Sequence, residues 1–253
     1  MPNIPVIIGT DTSGQAALLG LGKLLPFVTG VRSLFFPGTS AELTRMNARR
    51  GGAPATIVGN PVYKNGYATF KSLSDYLRTT DMDDSPHLTM MILMRATPGY
   101  AADGQNATKI VGMGNFRTKG SMIWTQSNPS YDALSFAGST NYDNNGSSVI
   151  AHTYVKAGPI DITQWALYAF IRQAGLNRRS YDMSRNTSQI VADDRTPDRN
   201  IVDPFLIGGA FANYAGYVDV HSAFNAAIPC NDDQRGAMGQ FMKDNALRRG
   251  IAA

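Results

Sequence analysis

The chain has 253 residues, 43% hydrophobic and 17% charged, a composition that fits a packed globular domain and excludes a disordered tract. Its formal charge is +4, and the only adjacent arginine pairs are Arg49-Arg50, Arg178-Arg179 and Arg248-Arg249, so the basic surplus is dispersed and argues against nucleic-acid binding. A single cysteine, Cys230, excludes an intrachain disulfide and fits a reducing cytoplasm.

The first residues, Met1-Pro2-Asn3-Ile4-Pro5, lack the basic segment of a secretory signal. The apolar run Gly20 to Val28 carries Lys23 and is too short to span a bilayer. Synthesis in the cytosol is therefore expected, without general secretory export or membrane insertion. Ala16 to Val28 shows no period-two alternation and resembles a short helix broken by glycines and stopped at Pro26. Residues 1–50 are read as an arm that docks on a sister subunit or a larger assembly, or as a segment that closes the edge of the main domain.

From Ala55 the pattern changes to short strands and turns. Ala55 to Val58 and Tyr67 to Phe70 are candidate strands, with turn signals at Asn60-Pro61 and Lys64-Asn65-Gly66. Leu88 to Arg95 is apolar on both faces, as in a covered strand. Val149 to Lys156 alternates. Gln164 to Arg172 places Trp165, Leu167, Ala169 and Ile171 on one face and Ala166, Tyr168 and Phe170 on the other, with the aromatics assigned to the outer or concave side. Trp165 reads as core. Phe205 to Ile207 and Tyr217 to Val220 supply later strands. Asn231 then caps a terminal helix with Gln234 as its capping-box partner, Asp232 and Asp233 at the positive end of the dipole, and Gly250 as the stop. Residues 51–253 thus predict an all-β, antiparallel two-sheet sandwich with one short C-terminal helix.

Two stretches narrow the sandwich. The first is Ala55-Thr56-Ile57-Val58-Gly59-Asn60-Pro61-Val62-Tyr63, then Gly66-Tyr67-Ala68-Thr69-Phe70 and Asp75-Tyr76-Leu77-Arg78-Thr79. The second is Phe205-Leu206-Ile207-Gly208-Gly209, Tyr214 to Val220, Phe224-Asn225 and the Asn231 helix. Together they resemble the opening and closing strands of concanavalin A-like, laminin G-like domains, which have a jelly-roll sandwich. That resemblance, with no signal and no disulfide, is similar to virion proteins of tailed bacteriophages. It implies a non-enzymatic structural subunit at the particle surface. Other virion proteins and sister subunits would contact residues 1–50. The same family also implies a carbohydrate-binding module for a host surface polysaccharide, or a glycoside-active enzyme.

The enzyme reading requires paired carboxylates, typically glutamates, on one strand. The chain has one glutamate, Glu42, so the family's glutamate pattern is absent. Asp193-Asp194 and Asp232-Asp233 are adjacent and would face opposite ways on a strand. The three histidines, His87, His152 and His221, are far apart, and Cys230 has no zinc-spaced partner. His152 and His221 are read as solvated or hydrogen-bonded on outward strand faces. No cofactor is expected. Calcium is conceivable only at Asp81 to Asp84 or Asn141 to Asn145. The most sugar-like stretch is Gly138 to Ser147: Tyr142 offers a ring face, and Asn141, Asp143, Asn144 and Asn145 offer hydroxyl partners, with Trp124 and Tyr131 as neighbours. The plainer reading of the same residues is a polar hairpin loop.

Overall fold

The computed structural model describes residues 29–49, 51–72, 74–98, 109–115, 119–126, 136–144, 147–155, 161–198, 203–209, 214 and 216–253. Its strands form two antiparallel sheets. The first sheet runs β13 (Thr187–Asp193), β12 (Leu176–Asp182), β11 (Ala166–Gln173), β6 (His87–Ala96), β15 (Tyr217–Ala226), β4 (Tyr67–Lys71) and β3 (Val62–Lys64). The short strand β1 (Val31–Phe35) pairs with the second half of β15. The second sheet runs β10 (Ser147–Val155), β9 (Phe136–Asn144), β8 (Ser121–Gln126), β7 (Lys109–Gly114), β14 (Leu206–Ile207), β5 (Tyr76–Arg78) and β2 (Thr56–Val58).

Strand alternation sends one set of side chains between the sheets, because successive residues point to opposite faces. Phe70, Met90, Ile92, Ile123, Phe136, Tyr168 and Phe170 meet there. Tyr168 and Phe170 therefore lie inside the sandwich and not on an outer face, which corrects the sequence expectation. They are too apolar and bulky to leave uncovered, and the second sheet covers them. Gly138 makes the fit possible: a Cβ at this position would overlap the Phe170 ring.

The other set, Leu167, Ala169, Ile171, Met91, Leu93 and Phe224, lies on the outer face of the first sheet and packs under α2 (Asp232–Arg248). The helix begins as expected. The Asn231 side chain accepts from the Gln234 amide, and the Gln234 side chain accepts from the Asn231 amide. Met238 and Met242 are fully buried against the sheet. Gly239, a poor helix former, sits where a Cβ would crowd Leu167 and Met183, so it permits the close approach.

The described part of residues 1–50 packs with the sandwich. Leu34, Phe35 and Phe36 are buried, β1 extends the first sheet, and α1 (Ala41–Arg45), capped by Ser40, hands the chain back to Asn47 beside Phe35. Residues 31–49 thus belong to the sandwich and close its edge; residues 1–28 lie outside the described residues.

Two buried arginines tie the sheets together. Arg172 of β11 donates to both carboxylate oxygens of Asp83, at 2.6 and 3.0 Å. It also donates to Ser121 of β8 and Thr140 of β9, each at 3.0 Å, and to the carbonyls of Ser85 and Pro86. Arg178 of β12 donates to Thr153 of β10 and pairs with Asp193.

Candidate functional site

The hairpin β9–β10 holds most of the residues that the sequence marks as sugar-like, but it does not assemble them. Positions 138–144 and 147 are strand and not loop, because β9 and β10 stay paired up to Asn144 and Ser147. Tyr142 points between the sheets and is 1% exposed. Its ring lies 4.5 Å from the Arg195 guanidinium, and burial raises its hydroxyl pKa. It cannot serve as a sugar platform. Asn141 is also buried, donating to Ser148 and accepting from the Gly120 amide. Asp143 is exposed, and its backbone amide donates to the Thr196 carbonyl. Asn144 ends β9; Tyr131 and Asn145 lie outside the described residues.

Trp124 does face outward from the second sheet, but it is 3% exposed. Tyr214 and Tyr154 cover it at 5.4 and 6.2 Å, and its indole N–H donates to Ser139, which also bonds His152. This cluster is closed on itself. Burial, with help from Arg178 and Lys109, lowers the His152 pKa. His221 is not solvated: it is fully buried, hydrogen-bonded to the Gly66 carbonyl, and pushed down to about 4 mainly by burial.

The open polar and aromatic surface lies on the other sheet, beyond the reach of α2. Register places Thr69 (β4), Asp219 (β15) and Arg95 (β6) side by side, and Trp165, one residue before β11, continues the row. Four neighbouring strands at about 4.8 Å spacing give the row a length of about 15 Å. The next row holds Lys71, Tyr217 and Thr97. Tyr67 and Trp165 sit at the rim of the helix-covered cluster, half-buried, with rings 5.3 Å apart in an edge-to-face arrangement. Tyr217 is 37% exposed.

Asp219 organises this face from below. It is buried and accepts from Arg95 at 2.9 Å, Thr97 at 2.9 Å and Thr69 at 2.7 Å. So engaged, the carboxylate fixes the arginine over two rings, 4.7 Å from Trp165 and 5.4 Å from Tyr67. Lys71 lies over Tyr217 at 5.1 Å. The result is a rigid, half-exposed platform of rings and donors with no free carboxylate. It can stack a flat apolar surface and donate hydrogen bonds, but it has no paired acid and base with which to cleave a bond.

Sequence reasoning missed Tyr67, Arg95 and Tyr217, and placed Trp165 in the core. Tyr67 and Thr69 fall in the strand expected at Tyr67 to Phe70, but a single strand does not disclose which strands stand beside it. Glu42 is exposed on α1. Among the described residues no group of three or more His, Cys, Asp or Glu side chains is placed to hold a metal ion. Of the two stretches considered for calcium, Asp83 gives both its oxygens to Arg172.

No protein-family model matches the chain, and no curated protein matches it in sequence. Among solved structures the fold is similar to binding domains of botulinum neurotoxins. The botulinum neurotoxin DC binding domain in complex with SialylT matches with TM-score 0.59 and 9% identity, over 85% of this chain and 52% of that one. The same toxin's domain in complex with rat synaptotagmin II gives 0.56 and 9%, over 84% and 52%. The serotype G binding domain gives 0.57 and 10%, over 83% and 50%. The chain spans about half the length of these neurotoxin domains. At such identities the likeness shows the fold alone: an all-β, two-sheet antiparallel sandwich of the kind that occurs in toxin binding domains. No family model carries the concanavalin A-like resemblance further, and these neighbours lend no support to a bacteriophage particle.

Proposed function

We propose that this sandwich is a non-catalytic carbohydrate-binding module, and that its site is the face formed by Trp165, Tyr67, Tyr217, Arg95 and Thr97. The observation that carries the reading is the fixed aromatic platform beside oriented donors, outside the helix-covered part of the sheet. A pyranose presents a C–H face to an aromatic ring and hydroxyls to donors, so such a platform suits it. The fold likeness supports the reading in a general way, since one neurotoxin domain of this fold is known in complex with SialylT. The single glutamate, far from this face in sequence and carried on α1, argues against a glycosidase.

Affinity electrophoresis in gels cast with soluble polysaccharides tests the proposal. The wild-type chain is expected to be retarded by at least one polysaccharide. Trp165→Ala should weaken that retention about tenfold, as truncation of a central aromatic anchor does. Tyr154→Ala, on the opposite sheet, should leave it unchanged. Equal retention of the Trp165 and wild-type proteins, or no retention of a folded chain by any polysaccharide, would overturn the reading.

A further inference from the structure

The proposed site carries cations that the fold itself does not use. Lys64 and Val62 lie on the outward side of edge strand β3, because Tyr63 between them packs against the inter-sheet core. Both are exposed, Val62 by 51%. Lys64 faces across to Tyr67, and Val62 to Thr69. The outward positions of β3, β4, β15 and β6 at this edge therefore present Lys64, Lys71 and Arg95. The only carboxylate on the same positions is Asp219.

Asp219 neutralises one charge, and its three hydrogen bonds leave it buried. Among the described residues Lys64 has no ion-pair partner, and Lys71 has only the ring of Tyr217. Among the described residues Nη1 of Arg95 also has no hydrogen-bond partner, although Nε is held by Asp219. Two lysines and one guanidinium nitrogen thus stand unspent around the rings. Each lysine is separated from a ring by one strand spacing or less, within reach of a substituent on a stacked sugar.

We infer that the saccharide bound by this face is acidic, bearing carboxylate or sulfate groups on the sugar ring. The inference rests on the carbohydrate-binding reading and specifies its ligand. Trp165 and Tyr67 take the C–H face of one residue, and Lys64, Lys71 and Nη1 of Arg95 take the anionic substituents. A neutral glycan would leave these cations without a role. A single-stranded nucleic acid also combines stacking with anions, but it needs a basic groove that tracks many phosphates. This patch holds only three cations, Lys64 on β3, Lys71 on β4 and Arg95 on β6, and they lie in three different cross-strand rows.

A glycan array printed with carboxylated, sulfated and neutral saccharides tests this, with a labelled single-stranded oligonucleotide as a competitor. The variant for comparison is Lys64→Gln/Lys71→Gln. Because neither lysine has an ion-pair partner among the described residues, this variant is expected to keep its fold, which thermal unfolding verifies. The expected result is binding concentrated on acidic glycans, weakened about fivefold in the variant and lost in high salt. Equal binding of neutral and acidic glycans would overturn the acidic ligand and leave the carbohydrate reading standing. No binding to any glycan would overturn both. Displacement by the oligonucleotide at lower concentrations than any acidic glycan would assign the face to nucleic acid and overturn the inference.

Discussion

Arg172 shows how a polar group is made tolerable in the centre of this sandwich. Its side chain is 1% exposed and that of Asp83 is not exposed at all. Every guanidinium nitrogen has a partner, and those partners come from the second sheet and from the segment that leads into β6. Taking two charges out of water costs several kcal/mol, which only such complete pairing offsets. Arg172→Ala is expected to destabilise the fold by about 3–5 kcal/mol, since it strands the Asp83 carboxylate. The double variant Arg172→Met/Asp83→Leu is expected to cost less than that single change. Urea unfolding measures both, and a smaller loss in the single variant would show the pair to be dispensable. His221 gives a second prediction at this scale. Its pKa of about 4 in the fold lies below the ordinary histidine value of 6.5 because burial disfavours the charged ring. The unfolded chain therefore binds a proton that the folded chain refuses. Stability is full above about pH 6.5 and falls as the pH drops toward 4, by on the order of 3 kcal/mol. His221→Gln should flatten that acid limb in an unfolding series across this range; an unchanged limb would contradict the assignment.

At the scale of elements, the helix α2 and its cap can be separated by experiment. Asn231→Ala removes one half of the capping box and is expected to cost about 1 kcal/mol. Gly239→Leu acts differently. It improves helix propensity yet drives a side chain into Leu167 and Met183, so it should destabilise by about 1–3 kcal/mol in thermal unfolding. A stabilised variant would mean that the helix does not lie tightly on the sheet. These elements also show what the sequence discloses. The Asn231–Gln234 cap, the alternation of Trp165 to Ile171 and the apolar run of β6 were legible because their signals are local. Strands β7 and β9 were not, because their small and polar residues (Gly112, Gly114, Gly138, Ser139) read as turns until a neighbour buries them. Tyr142 misled for the same reason. Its polar neighbours suggest a loop, whereas strand pairing turns its ring inward between two arginines. The site on the first sheet depends on register between Thr69, Asp219 and Arg95, which are 26 and 124 positions or more apart along the chain, and no local pattern encodes that.

For the whole molecule, the sandwich includes residues that an arm boundary at 50 would cut away. A chain that begins at Gly51 would lack β1, leaving the second half of β15 without its partner and removing Leu34, Phe35 and Phe36 from the core. Such a chain is expected not to unfold cooperatively, as circular dichroism during heating would show; a sharp transition would restore the arm reading for residues 31–49. The same architecture divides its two tryptophans between the two outer faces. Trp165 belongs to the open platform and Trp124 to the closed cluster under Tyr214. The most direct test of carbohydrate binding at this platform is therefore a two-dimensional proton–nitrogen NMR titration with a bound saccharide, following the two indole N–H signals. The platform account predicts that the Trp165 signal moves in a saturable way while the Trp124 signal, held by Ser139, stays in place. Movement of Trp124 alone, or of neither while the saccharide is bound, would contradict it.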